Sequence, residues 1–105
     1  MRMHRINFEE LPWESPAPGI RHKVVARGGR RLRLVEYSTD MPPHWCERGH
    51  MGLILDGRFE IRFDDETVVF EKGDGVFIPS GAGDRHNARV LSETVTALFV
   101  EDEEA

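Results

Sequence analysis

From Arg21 onward the chain alternates short apolar runs with tight polar turns. The segments "RHKVVA" and "RLRLVEY" flank Gly28-Gly29, and "MGLIL" and "RFEIRF" flank Asp56-Gly57. Gly-Gly and Asp-Gly pairs between such segments are hairpin signals, because the favoured two-residue turns need left-handed backbone. "TVVF" follows the polar turn Asp64-Asp65, "GVFIP" follows "EKGD", and "TVTALFV" closes the series. No segment repeats its apolar residues at helical period over a helix's length. The pattern predicts an all-β domain, a sandwich or barrel of short antiparallel strands.

A two-residue turn at Asp56-Gly57 would pair Leu55 with Arg58 and Ile54 with Phe59. Alternation then places His50, Gly52, Ile54, Phe59, Ile61 and Phe63 on one face. Met51, Leu53, Leu55, Arg58, Glu60 and Arg62 take the other. The Phe/Ile face is the predicted interior, so His50 points inward, with Gly52 leaving space beside it. Leu53 and Leu55 stand on the opposite face and need a cover. That cover is another layer, the N-terminal segment or a partner subunit, and a homodimer is the expectation.

The first twenty residues behave differently. "LPWESPAPGI" carries three prolines, which exclude a regular helix or a central strand. Residues 1–20 read as an extended arm on the body, pinned by Leu11 and Trp13. An arm crossing to a second subunit is the alternative. Residues 21–101 form the barrel and 102–105 an acidic tail, with the closing "VEDEEA" expected to fray. The 105 residues hold no repeat and no linker, so one domain is expected.

Charge narrows the partners. Nineteen acidic and 14 basic side chains leave a net charge of −5, which disfavours nucleic acid. Arg27, Arg30, Arg31 and Arg33 cluster without an aromatic stacking set, and read as a solvated hairpin tip. No run reaches membrane-spanning length and the N-terminus lacks a signal-peptide pattern, so no membrane partner is expected. The one cysteine excludes an internal disulfide and fits a reducing, cytoplasmic setting.

The candidate chemistry concentrates in "PPHWCERGHMGLILDG". His44 and Cys46 are two apart and share a face if extended. Glu47-Arg48-Gly49 can turn the chain so that His50 starts the next strand beside them. Imidazole and thiolate suit zinc, iron, nickel or copper. A further ligand is available in "GDGVFIPSGAGDRHNA", where Asp84 and His86 are two apart and able to share a strand face. Each residue also has a plain structural role: His50 as a core histidine on a backbone carbonyl, Cys46 as a small buried hydrophobe, His86 as a solvated loop residue. Their convergence on one framework favours a metal. His4 and His22 lie outside it and read as exposed. Trp45 is expected to face away and pack on the outer layer. Arg33 and Glu36, at odd spacing, cannot share a strand face. They line a barrel mouth or make surface pairs.

These residues resemble the two motifs of the cupins, small antiparallel β-barrels. In the first motif His44 takes the first histidine position, Cys46 the second, His50 the glutamate position and Gly57 the glycine. In the second, Gly73, Pro79 and Gly81 match in spacing. Asp84 stands where the histidine belongs, His86 comes two places later, and Ala88 holds the asparagine position. The resemblance covers about residues 21–101. It implies a double-stranded β-helix, or jelly roll, with a mononuclear divalent metal (iron, zinc, nickel or manganese) inside. The family's three imidazoles and a carboxylate are rearranged here. His44, His50 and His86 are the preferred imidazole set, with Cys46 as fourth ligand and Asp84 as a substitute or a neighbour of the shell. The implied function is a metal-binding cupin acting on a small molecule as a dioxygenase- or isomerase-like metalloenzyme. The alternative is a non-catalytic module that binds a small ligand or the metal itself.

Overall fold

The computed structural model describes residues 4–103. Positions 1–3 of the predicted arm and 104–105 of the predicted tail lie outside the described residues. The described strands are β1 (Glu14–Ala17), β2 (Ile20–Arg27), β3 (Arg30–Ser38), β4 (His50–Asp56), β5 (Arg58–Arg62), β6 (Thr67–Glu71), β7 (Gly75–Ile78), β8 (Asn87–Val90) and β9 (Thr94–Asp102). They form two antiparallel sheets, ordered β1-β2-β3-β9-β4-β7 and β6-β5-β8. The all-β expectation holds. β8 was not read from the sequence.

The β2–β3 hairpin turns at Gly28 and Gly29, both with positive φ, as a primed two-residue turn requires. The β5–β6 hairpin turns at Asp64-Asp65 and is closed by Phe63 N–H donating to Glu66 O at 2.7 Å.

The pairing predicted at Asp56-Gly57 does not form. β4 pairs with β9 and β7, whereas β5 pairs with β6 and β8. Asp56-Gly57 is instead the corner where the chain leaves one sheet for the other. Gly57 has φ +86°, and a Cβ there would meet Thr94 O at 2.2 Å. A register shift between Ile54 and Asp56 turns the end of β4. Ser92 Oγ accepts from Arg58 N–H and donates to Thr94 O, tying the corner to β9. The predicted inner face survives this change, because alternation along a strand does not depend on its partner. Ile54, Phe59 and Ile61 are buried and join Val35, Tyr37, Val76, Ile78, Val95, Ala97 and Phe99 in the core.

Gly52 was expected to leave space beside His50. The space is filled: a Cβ there would lie 1.9 Å from the backbone oxygen of Leu98 on β9. Glycine is required by the close approach of the two strands.

The first segment is partly built into the sheet. β1 pairs with β2 as an edge strand, where Pro16 withholds no ladder bond that the sheet needs. Before it, Phe8–Glu10 make a 3-10 turn capped by Asn7. Lys23 Nζ donates to Phe8 O at 2.7 Å, and the Trp13 ring lies against Arg21 and Lys23. Further along the sheet's outer face, Met51, Leu53, Leu55 and above all Phe77 (76% exposed) remain bare.

The acidic end does not fray as expected through Asp102. β9 runs to that residue, and Glu101 is only 2% exposed. Along β9, Val95, Ala97, Phe99 and Glu101 share the inward parity. Glu101 is therefore drawn in by the three residues before it.

Gly52→Ala tests the strand approach. It should lower stability by about 2–3 kcal/mol, as overpacking against backbone does, read as a lower urea midpoint at unchanged m-value.

Candidate metal centre

Three elements converge at one end of the core. The first is the segment between β3 and β4. Cys46 N–H donates to His86 O at 2.8 Å, and His86 N–H returns a bond to Cys46 O at 2.9 Å. Residues exchanging both bonds stand directly opposite each other, with side chains on one face. Two further contacts bolt the segment down: Gly81 N–H to Glu47 O at 2.9 Å, and Gly49 N–H to Ser80 Oγ at 2.8 Å. Gly49 has no room for a side chain, since a Cβ would lie 2.3 Å from Ile78 O.

The second element is β4, whose first residue is His50, inward as predicted. The third is the chain leading into β8, which carries His86, 4% exposed. The ligand atoms of Cys46, His50 and His86 all lie within 4.8 Å of one another.

Hydrogen bonds orient both rings. His86 Nδ1–H donates to Asp84 O at 3.0 Å, and His50 Nδ1–H donates to a Glu101 carboxylate oxygen at 2.5 Å. In the neutral form, each imidazole so held carries its lone pair on Nε2. His86 Nε2 is buried and has no hydrogen-bond partner. Such an atom is costly unless something accepts its lone pair. A metal ion fits: thiolate and two imidazoles are a donor set for zinc or iron, with coordination positions to spare.

The thiol of Cys46 is held down to about 5, first by His50 and then by His86, against the opposing effect of burial. His50 is shifted up: burial pulls it down most strongly, but the Cys46 and Glu101 anions together outweigh that. The carboxyl of Glu101 is resisted by burial, yet His50, Arg33 and Arg31 bring it down to about 2.

Glu101 is the residue that sequence reasoning missed. Arg31 Nη2 reaches its Oε1 at 2.7 Å, and Arg33 Nη1 its Oε2 at 3.3 Å. Arg33 Nε donates to His22 Nδ1 at 2.8 Å. Arg31 and Arg33 therefore do not belong to a solvated hairpin tip, and His22 is half-buried rather than exposed. Burial, then Arg33 and Arg31, lower the His22 pKa, which suits its role as acceptor. Parity was the available signal: Arg31, Arg33, Val35 and Tyr37 alternate inward on β3, facing Glu101, Phe99, Ala97 and Val95 on β9. Glu36, of opposite parity, pairs outward with Arg21 at 3.0 Å.

The other candidates stand apart. His44 is exposed on the cavity wall, with Nδ1 3.4 Å from Pro42 O, outside the three-residue cluster. Asp84 belongs to an exposed 3-10 turn, Ala82–Asp84, so it shares no strand face with His86, and its backbone rather than its carboxylate meets that ring. Trp45 does not pack on an outer layer. It is 42% exposed, stacks on Arg85 and lines the cavity.

The fold and the cluster together define a small β-barrel with one ligand-rich pocket. A family model, the cupin domain, matches residues 32–101, and the chain belongs to the cupin family. Comparison with curated proteins finds no match in sequence. Solved structures share the fold. KdgF from Halomonas sp. is 23% identical with a TM-score of 0.71, covering 91% of this chain and 92% of its own. The polyketide cyclase RemF from Streptomyces resistomycificus is 24% identical with a TM-score of 0.76, covering 98% and 81%. An RmlC-like cupin from Shewanella frigidimarina is 16% identical with a TM-score of 0.74, covering 98% and 95%.

Replacing Glu101 by Gln removes the carboxylate that Arg31 and Arg33 share. The variant should lose about 3 kcal/mol of stability, the usual cost of removing one partner of a buried pair, measured by chemical denaturation.

Proposed function

We propose that the protein is a metal-binding cupin whose Cys46, His50 and His86 hold one divalent transition ion beside a small-molecule cavity. The carrying observation is the buried, unpartnered Nε2 of His86 in a cluster whose three ligand atoms lie within 4.8 Å of one another. Zinc, iron or nickel suits a thiolate better than manganese does. Bound there, the ion would polarise an oxygen of a small molecule as a Lewis acid.

The chain's own residues prepare that setting. Glu101 fixes the tautomer and ring plane of His50, as carboxylate neighbours of ligand histidines do. The backbone of Asp84 does the same for His86. The cavity, about 630 Å³, is the size of a small-molecule site and favours handling of an organic ligand over metal storage. His44 lines the same cavity without joining the cluster, and is the candidate to exchange a proton with what binds there. A thiolate ligand also suits a reducing, cytoplasmic setting.

Elemental analysis after loading with zinc or iron(II) should find one ion per chain. His50→Ala and His86→Ala should lose it at unchanged circular dichroism, while His44→Ala should keep it. A wild-type protein that takes up neither metal would overturn the assignment.

The bare strip of Met51, Leu53, Leu55 and Phe77 supports a homodimer. Met51 and Phe77 are cross-strand neighbours and Leu53 stands opposite Gly75, so two copies can meet at these uncharged positions without like-charge repulsion. A stable interface needs roughly 800 Å² per partner. Light scattering should report twice the chain mass, and Phe77→Glu should halve it. A wild-type monomer at micromolar concentration would refute the pairing.

A further inference from the structure

We propose that the cavity takes an organic anion, a carboxylate or enolate carried on a small apolar body. This rests on the metal centre above and deepens it. The observation behind it is a charge imbalance among the groups that line the cavity or lie just behind its wall.

Arg31 and Arg33 both line the cavity, and both reach the same carboxylate, that of Glu101. Arg33 is 7% exposed and Glu101 2%. The His22 ring, taking the Nε–H of Arg33, helps fix that guanidinium in place. One carboxylate thus serves two guanidiniums. With the centre filled, a divalent ion and two guanidiniums face one thiolate and one carboxylate, an excess of two positive charges. Charges withdrawn from water need partners; Arg33 is buried, and the Arg31 side chain keeps 20% of its surface exposed. The remaining charged residues on the cavity wall are Arg48, Glu47, Asp102 and Glu103. The three acids among them are exposed, where water and salt screen them. They do not balance the interior. A ligand that brings its own negative charge does.

The rest of the wall describes the ligand's body. Ile20, Met41, Phe59, Ile61, Val76 and Ala88 line the cavity with apolar surface. A small hydrocarbon or ring attached to the anionic group would bury itself there.

Phenylacetate and phenylacetamide differ in charge and hardly in shape. Each is titrated by calorimetry into the zinc-loaded full chain, with zinc content measured on the same sample. Phenylacetate should bind at least tenfold more tightly. Arg31→Gln, checked for retained zinc, should cut that preference at least threefold. If the variant does not fold, the wild-type pair decides. Zinc bound with no preference, or a preference unchanged in zinc-bearing Arg31→Gln, overturns this inference and leaves the metal centre standing. A preference without zinc overturns the metal centre and, with it, the charge count on which this inference rests. Neither zinc nor preference overturns both.

Discussion

The carboxylate of Glu101 is the constraint on which the site depends. It is buried on β9 and binds three cationic or proton-donating side chains: Arg31 and Arg33 from β3, and His50 from β4. A lone carboxylate at that depth would be driven toward its neutral form. Here the neighbours more than offset burial, and the group stays ionised. The same contacts link β3, β9 and β4 on their inner faces. What makes the charge tolerable is also what orients the first histidine of the cluster.

The cluster itself is assembled by backbone pairing. Cys46 and His86 are forty residues apart in the chain, yet they exchange two main-chain hydrogen bonds. That bridge places a thiol and an imidazole on one face before any metal is considered. Gly49 and Gly52 then admit the neighbouring backbones so closely that β4 can present His50 beside them. Cys46 and His50 therefore converge with His86, which the chain's path through the 3-10 turn Ala82–Asp84 brings into reach.

Electrostatics and cavity shape reinforce one another. Arg31, Arg33 and the ligand atoms of the cluster line the same cavity as a set of apolar side chains. In such a place each charge acts more strongly than at the surface, because little water intervenes. The surface pairs of this protein, such as Arg85–Asp64 and Arg58–Glu71, are exposed and contribute little by comparison.

Sequence alone determined the β class, two of the turns, and the inward parity of His50, Ile54, Phe59 and Ile61. These follow from period-two alternation and from glycine or aspartate at turns, which are local properties. It also pointed to His44, Cys46, His50 and His86 as one group, of which the last three cluster. Tertiary structure decided which strands pair: Asp56-Gly57 looks like a hairpin, and only the surrounding sheets make it a corner. It decided that His44 and Asp84 stand apart, since a loop's direction is set by what it is bonded to. And it decided that Arg31, Arg33 and Glu101 belong inside. Charged residues read as solvated until a fold supplies partners of opposite sign, and here those partners lie about seventy positions away in the chain.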